Sequence, residues 1–166
     1  MKKIAIFEKV SPEQFEKDVT ALEITSIDFF ETHEALLLPR RSTKGAAGYD
    51  FFLPYGITLE PGEEKTIPTG MRVKIEAGWM LSLYPRSGLG FRYRLQLNNT
   101  VGIIDADYYN ADNEGHIMAR IWNGSKEILS LEKGKAFMQG VFLAFGITID
   151  DTAEEIRRGG FGSTDA

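Results

Sequence analysis

The chain has no cysteine among its 166 residues, so it can form no disulfide, thiol nucleophile or thiolate metal site. It has only two histidines, His33 and His116, far apart and in different contexts, which does not read as a zinc motif. No apolar run approaches the ~18 residues of a membrane span, and the N-terminus lacks a basic segment followed by a long apolar one. A cytoplasmic location is therefore expected. There is also no basic excess: 19 Lys and Arg face 24 Asp and Glu, a net charge of −5. General nucleic-acid binders usually carry the opposite balance, so no direct nucleic-acid binding is expected. A single nucleotide could still be a ligand, with local arginines and backbone N–H groups holding its phosphates.

What is present points to strands. The length fits one domain able to bury a sizeable core. Short apolar or alternating segments occur at Ile4–Glu8, Tyr49–Leu53, Met71–Glu76, Trp79–Tyr84 and Gly115–Trp122, with a long one at Ala136–Ile149. Turn signals separate them at Pro61-Gly62, Thr69-Gly70, Ala77-Gly78 and Asn123-Gly124, the spacing of an all-β sandwich or barrel. One segment departs from this pattern. Ser11-Pro12-Glu13-Gln14 offers an N-cap, a proline at the first helical position and a capping-box glutamine. Phe15, Val19 and Leu22 follow at helical spacing, predicting a short amphipathic helix over about residues 12–22 that lies on the core.

Several segments carry groups suited to chemistry. Gly102-Ile103-Ile104-Asp105 places a carboxylate directly after an apolar strand, with Tyr108 three residues on. An aspartate of ordinary pKa near ~3.9 is ionised at neutral pH and can orient and deprotonate a water. Taken alone, an Ile-Asp pair is more often a strand end, and Asp107 reads as a turn residue. Leu97-Asn98-Asn99-Thr100-Val101 reads as a β-hairpin whose polar tip can present main-chain donors and acceptors edge-on to a flat base. Pro85-Arg86-Ser87-Gly88 brings a guanidinium, a hydroxyl and a close-approach glycine to the end of a strand, a set that suits phosphate oxygens. Arg92 and Arg94 beyond it read as a solvated face. Ala46-Ala47-Gly48-Tyr49-Asp50 opens another strand, and Gly134-Lys135-Ala136-Phe137-Met138-Gln139 supplies a further polar group. Gly159-Gly160-Phe161-Gly162-Ser163-Thr164 is a glycine-rich arm with one aromatic ring and two hydroxyls, preceded by Arg157.

In that order and at those separations the set closely resembles the homotrimeric dUTP pyrophosphatases (dUTPases), over Leu36 to Thr164. The resemblance implies an all-β, jelly-roll-like distorted barrel of the β-clip type. A single domain over 1–155 would carry a helical insertion at 11–34, and a flexible active-site arm would follow at 156–166. It implies a homotrimer with sites at subunit boundaries, and hydrolysis of dUTP to dUMP and pyrophosphate. That reaction limits uracil incorporation into DNA and supplies dUMP for thymidylate synthesis. Asp105 would activate the attacking water. Uracil would meet Asn99 and the main chain of Ile103 and Ile104, and Tyr108 would pack on the deoxyribose where a 2′-hydroxyl would clash. Arg86, Ser87, Gly88 and Gln139 would contact phosphates, with Asp50 in a supporting part. Arg157, Gly162, Ser163 and Thr164 would close over the triphosphate and Phe161 would stack on uracil. Mg²⁺ would be held mainly by the triphosphate and water, with no direct protein ligand.

Three features depart from the usual pattern. Ala136 stands where the family has an arginine, with Lys135 as a candidate replacement, and Asp165 stands where it usually has glycine. The connection Tyr109-Asn110-Ala111-Asp112-Asn113-Glu114 is longer than usual and is similar to that of dUTPases from Gram-positive bacteria and their phages. Its carboxylates lack the every-second-residue order of a calcium loop. Two other readings stay open: a dCTP deaminase-like enzyme of the same fold, or a non-catalytic regulatory protein on a dUTPase scaffold.

Overall fold

The computed structural model describes residues 2–155 and Gly159. Arg157, Phe161, Gly162, Ser163 and Thr164, the predicted arm contacts, lie outside the described residues, as does Asp165. The strands are β1 (Ala5–Lys9), β2 (Tyr49–Phe52), β3 (Ile57–Leu59), β4 (Glu64–Pro68), β5 (Met71–Ile75) and β6 (Trp79–Pro85). They continue with β7 (Leu95–Leu97), β8 (Gly102–Ile104), β9 (Met118–Asn123), β10 (Leu129–Leu131) and β11 (Ala136–Ala144). Helices α1 (Pro12–Ala21), α2 (Phe29–Glu34) and α3 (Ser87–Tyr93) join them, with a 3-10 turn at Ala106–Asn110. The expected all-β architecture is present. Among the described residues, no helix is long and apolar enough to cross a membrane.

Two sheets position the site. One has the strand order β2-β11-β6-β8, the other β4-β9-β7, and every pairing within them is antiparallel. Alternating residues face inward: Phe51, Leu81, Leu83 and Phe137 from the first sheet meet Ile67, Leu95, Ala119 and Ile121 from the second in one buried core. The pairs β1-β5 and β3-β10 flank them.

The predicted helix is α1, and its capping differs from expectation in one respect. The Ser11 hydroxyl accepts from Gln14 N–H at 3.1 Å as an N-cap should. The Gln14 side chain, however, turns along the helix to donate to Asp18 Oδ2 at 2.7 Å. Ser11 N–H donates instead to Glu114 Oε2 at 2.8 Å, so a residue far along the chain completes the cap. Phe15 is fully buried and Val19 nearly so. Truncating a buried ring of this kind costs about 3–5 kcal/mol.

Four other expectations are corrected. Segment 11–34 contains a second helix, α2, capped by Asp28 Oδ1 accepting from Glu31 N–H at 2.9 Å. The long C-terminal strand stops at Ala144, because Ile147 and Ile149 find no core to face and are exposed. Residues 115–117 are not strand: Gly115 adopts φ +69°, and a Cβ there would meet the backbone carbonyl oxygen of Tyr108 at 2.5 Å. The Asn98–Val101 segment is a tight turn rather than a hairpin tip, since β7 pairs with β9 and β8 pairs with β6. It therefore carries the chain from one sheet to the other.

Candidate active site

The register of the four-stranded sheet decides which site residues share a protomer's neighbourhood. β11 lies between β2 and β6, and Gln139 faces Asp50 on one side and Tyr84 on the other. Arg86 follows the end of β6, where its N–H donates to Phe137 O at 3.1 Å and its guanidinium forms an ion pair with Asp50. The Asp50 side chain is mostly buried and that of Arg86 partly so, and the pair braces β2 against the exit of β6. The Arg86 side chain keeps part of its surface exposed. Ser87 and Gly88 are exposed at the start of α3.

Gly48 makes room for this group. A Cβ at that position would collide with the amide oxygen of Gln139. The absence of a side chain in Ala47-Gly48-Tyr49 therefore lets Gln139 lie where it does. Lys135, the candidate for the missing arginine, is four residues upstream of Gln139 and exposed, at the opposite end of the β2-β11 pairing.

The second group sits elsewhere. A cavity of about 140 Å³ opens between the sheets, lined by Leu83, Asn99, Gly102, Ile103, Ile104 and Arg120 among others. Its apolar floor with main chain and Asn99 at the rim can take a flat heterocycle. The turn above it is set by Thr100 N–H to Leu97 O at 2.8 Å and Val101 N–H to Asn99 O at 2.7 Å. Ile103 is half exposed while Ile104 is buried, as alternate strand residues must be. Arg120, which the sequence left without a role, lines this cavity and pairs with Glu64 at 2.8 Å. Arg92 and Arg94 are exposed, with Arg92 3.8 Å from Glu127 on the solvated face expected of it.

Asp105 follows β8, half-buried, at the head of the 3-10 turn, where Tyr108 N–H donates to Asp105 O at 3.2 Å. Tyr108 is 3% exposed. Its hydroxyl donates to His116 O at 2.8 Å and accepts from Asn113 Nδ2 at 2.9 Å, so only a sliver of the ring can meet a ligand.

The two groups do not meet within one chain. Ile104 pairs with Leu81, which puts Asp105 level with Met80, and Arg86 stands six positions further along β6. At about 3.3 Å per residue the separation is roughly 20 Å along the strand. The structure therefore brings together Asp50, Arg86, Ser87 and Gln139, and separately Asn99, Ile103, Ile104, Asp105 and Tyr108.

Sequence reasoning missed the clamp behind Tyr108, formed by Asp18, Asn113, Glu114 and His116. A usable signal was there: Gln14 and Asp18 fall one turn apart beside the apolar stripe of α1. A carboxylate placed next to a buried stripe needs a partner.

Comparisons with known proteins show the family. The family model described as dUTPase matches residues 34–165. This chain belongs to the dUTPase family. It is 44% identical over 132 residues to a deoxyuridine 5′-triphosphate nucleotidohydrolase of Lactococcus lactis subsp. lactis (strain IL1403), covering 78% of this chain and 88% of that protein. The crystal structure of a dUTPase from Streptococcus mutans superimposes with a TM-score of 0.64 at 34% identity, covering 86% of this chain and 97% of the other. A mutant dUTPase from phage phi11 of S. aureus has the same fold at 21% identity and a TM-score of 0.63, covering 92% and 98% of the two chains. That structure is described as revealing the coordination of a structural Mg(II) ion.

Proposed function

We propose that this dUTPase hydrolyses dUTP to dUMP and pyrophosphate at sites shared between subunits of a homotrimer. The single observation behind the shared site is the roughly 20 Å between Asp105 and Arg86 along the strand direction of one protomer. A water oriented by Asp105 and a phosphate oxygen held by Ser87 must both lie within hydrogen-bond reach of one phosphorus, about 3 Å for each link. One chain cannot satisfy both. A second copy supplies the missing half, and a cyclic assembly repeats the arrangement without leaving an unmatched surface.

In this reading uracil enters the cavity beneath Asn98–Val101, where fixed main-chain groups of Ile103 and Ile104 and the Asn99 amide match its edge. A base with a different donor order would leave those groups unpaired. Tyr108 lies beside the sugar and excludes a 2′-hydroxyl. Asp105, as carboxylate, takes a proton from water while the water oxygen bonds to the α-phosphorus. The bond from that phosphorus to the bridging oxygen of the β-phosphate breaks, releasing pyrophosphate. Arg86, Ser87, the Gly88 N–H and Gln139 of the neighbouring subunit stabilise the charge that develops on the phosphates. Arg157, Phe161, Gly162, Ser163 and Thr164 act as the closing arm, excluding water.

Because Asp50, the carboxylate nearest the phosphate end, is already paired with Arg86, the ligands we assign to Mg²⁺ are phosphate oxygens and water. Held in this way, the metal ion would supply Lewis-acid neutralisation of phosphate charge. The enzyme acts on the free nucleotide, in the cytoplasm, with residues 11–34 as a helical insertion on the barrel.

The test is to incubate the protein with Mg²⁺ and each of dUTP, dTTP, dCTP and UTP, following phosphorus products and ammonia. Pyrophosphate from dUTP alone supports the reading. Ammonia from dCTP, or no product from dUTP, rejects it.

A further inference from the structure

Tyr108 is held from behind by a chain of contacts that begins in the helical segment. Its hydroxyl donates to the carbonyl oxygen of His116 at 2.8 Å and accepts from Asn113 Nδ2 at 2.9 Å. Both bonds come from the long connection between the 3-10 turn and β9, which must therefore be fixed before the tyrosine can be. Asn113 Oδ1 accepts from Gly115 N–H at 3.2 Å, and His116 N–H donates to Asn113 O at 3.0 Å. His116 is fully buried. Its ring has two partners on opposite sides: Gly70 N–H at 2.7 Å from Nε2, and Asp18 Oδ2 at 2.5 Å from Nδ1.

These partners assign the ring's tautomer. Gly70 N–H can only donate, so Nε2 is the bare acceptor nitrogen, and Nδ1 carries the proton given to Asp18. The other tautomer would set Nε2–H against Gly70 N–H and leave the Asp18 carboxylate facing the bare lone pair of Nδ1. Asp18 is a reliable acceptor because it is itself held by Gln14 Nε2 at 2.7 Å, on a helix pinned by fully buried Phe15. Glu114 ties the same connection to the start of that helix, accepting from the Ser11 hydroxyl at 2.6 Å and Ser11 N–H at 2.8 Å. Segment 11–34 is thus joined to the chain that carries Tyr108 at two separate points.

We propose that Asp18, His116 and Asn113 are positioning residues for the sugar gate, so that helix α1 sets how strictly the enzyme rejects ribonucleotides. The idea rests on the proposed reading that Tyr108 excludes the 2′-hydroxyl. It adds that the exclusion depends on contacts from outside the site. A steric gate rejects a hydroxyl only if its wall cannot retreat, and a fully buried imidazole with both nitrogens bonded is a stiff wall. Displacing an aligned group by about an ångström can change rates up to 10²-fold, so a loosened gate should show first in the discrimination ratio.

The experiment measures kcat/KM for dUTP and for UTP, with wild type and four variants. In Asp18→Ala the imidazole loses its acceptor, and the dUTP to UTP ratio should fall by about tenfold, mainly through better use of UTP. In Asp18→Asn an amide oxygen can still accept from Nδ1–H, and the ratio should recover most of the way. Val19→Ala removes packing from the same helix without touching His116, so it should lower the thermal midpoint and leave the ratio unchanged. Asn113→Ala deletes the other bond to the tyrosine hydroxyl and should also lower the ratio. If Asp18→Ala fails to fold, Asn113→Ala decides the matter. A folded Asp18→Ala or Asn113→Ala with the wild-type ratio overturns the proposal, as does a loss in Val19→Ala equal to that in Asp18→Ala. Wild type that hydrolyses dUTP no better than UTP would instead remove the underlying reading, before any variant is made.

Discussion

Asp105 and Arg86 stand at opposite ends of β6: Asp105 follows the residue paired with Leu81, and Arg86 follows the Pro85 that pairs with Met138. In the proposed shared site these two motifs are the two halves, each completed by another copy.

The base assignment predicts that Asp105→Asn, which keeps the shape but loses the proton acceptor, lowers kcat by about 10²–10⁴-fold while leaving dUTP affinity within a few-fold. Isothermal titration with a non-hydrolysable dUTP analogue, alongside turnover, separates the two quantities. Near-normal turnover would remove Asp105 from the role.

Gly48 should matter through Gln139 rather than through its own backbone. A methyl group at residue 48 meets the Gln139 amide oxygen, and that side chain must swing away from the phosphate end. Gly48→Ala is expected to raise KM for dUTP about as much as Gln139→Ala does, and the double variant should be no worse than either single one. Additive losses would show that the two act separately.

Acid stability should depend on the clamp between α1 and the long connection. Burial pushes the Asp18 carboxyl upward, but hydrogen bonds from His116 and Gln14 outweigh it and hold the group below its ordinary 3.8. Burial likewise pushes Glu114 upward, while the Ser11 hydroxyl, the Ser11 N–H and nearby Arg72 hold it below 4.5. A lowered native value means that the unfolded chain binds protons more readily. The contribution is present above the unfolded values and is lost as pH falls through the native ones. The thermal midpoint should fall below about pH 4.5, and Asp18→Asn should start lower at pH 7 but lose less between pH 5 and 3. Parallel curves for the two proteins would contradict this.

Tyr55 poses the opposite case. Its hydroxyl is buried with no hydrogen-bond partner among the described residues, and burial pushes its pKa up to about 12. An unsatisfied buried hydroxyl costs about 1–3 kcal/mol, so Tyr55→Phe should raise the thermal midpoint. The sign at high pH follows from the raised value: wild type should lose stability as pH rises from 10 towards 12, and Tyr55→Phe should lose less. A lower midpoint in the variant would mean that the hydroxyl has a partner.

The sequence made the strands legible where two-residue alternation has one buried face, as at Met71, Val73 and Ile75. It made α1 legible because Ser11, Pro12 and the Phe15 and Val19 stripe are local signals. The Gln14 side chain could not be placed, because its partner, Asp18, is held there by a ring 98 residues away in sequence. The Asn98–Val101 turn was misread as a hairpin because tip composition does not reveal which sheet each flanking strand joins. Asp105, Arg86 and Gln139 stand out as candidates in their motifs. Their division into two groups does not, because it follows from the pairing of Ile104 with Leu81, a long-range register that no local pattern encodes.

The most direct test of the shared site mixes two inactive parents. Asp105→Ala keeps an intact Ser87, and Ser87→Ala keeps an intact Asp105. Unfolded together and refolded in equal amounts, with mixed trimers confirmed by native mass spectrometry, they should give roughly one quarter of sites an aspartate from one subunit and a serine from the next. Activity should rise to about a quarter of the wild-type value, well above the sum of the parents. If mixed trimers form and activity stays at the parental level, each chain completes its own site and the account is wrong.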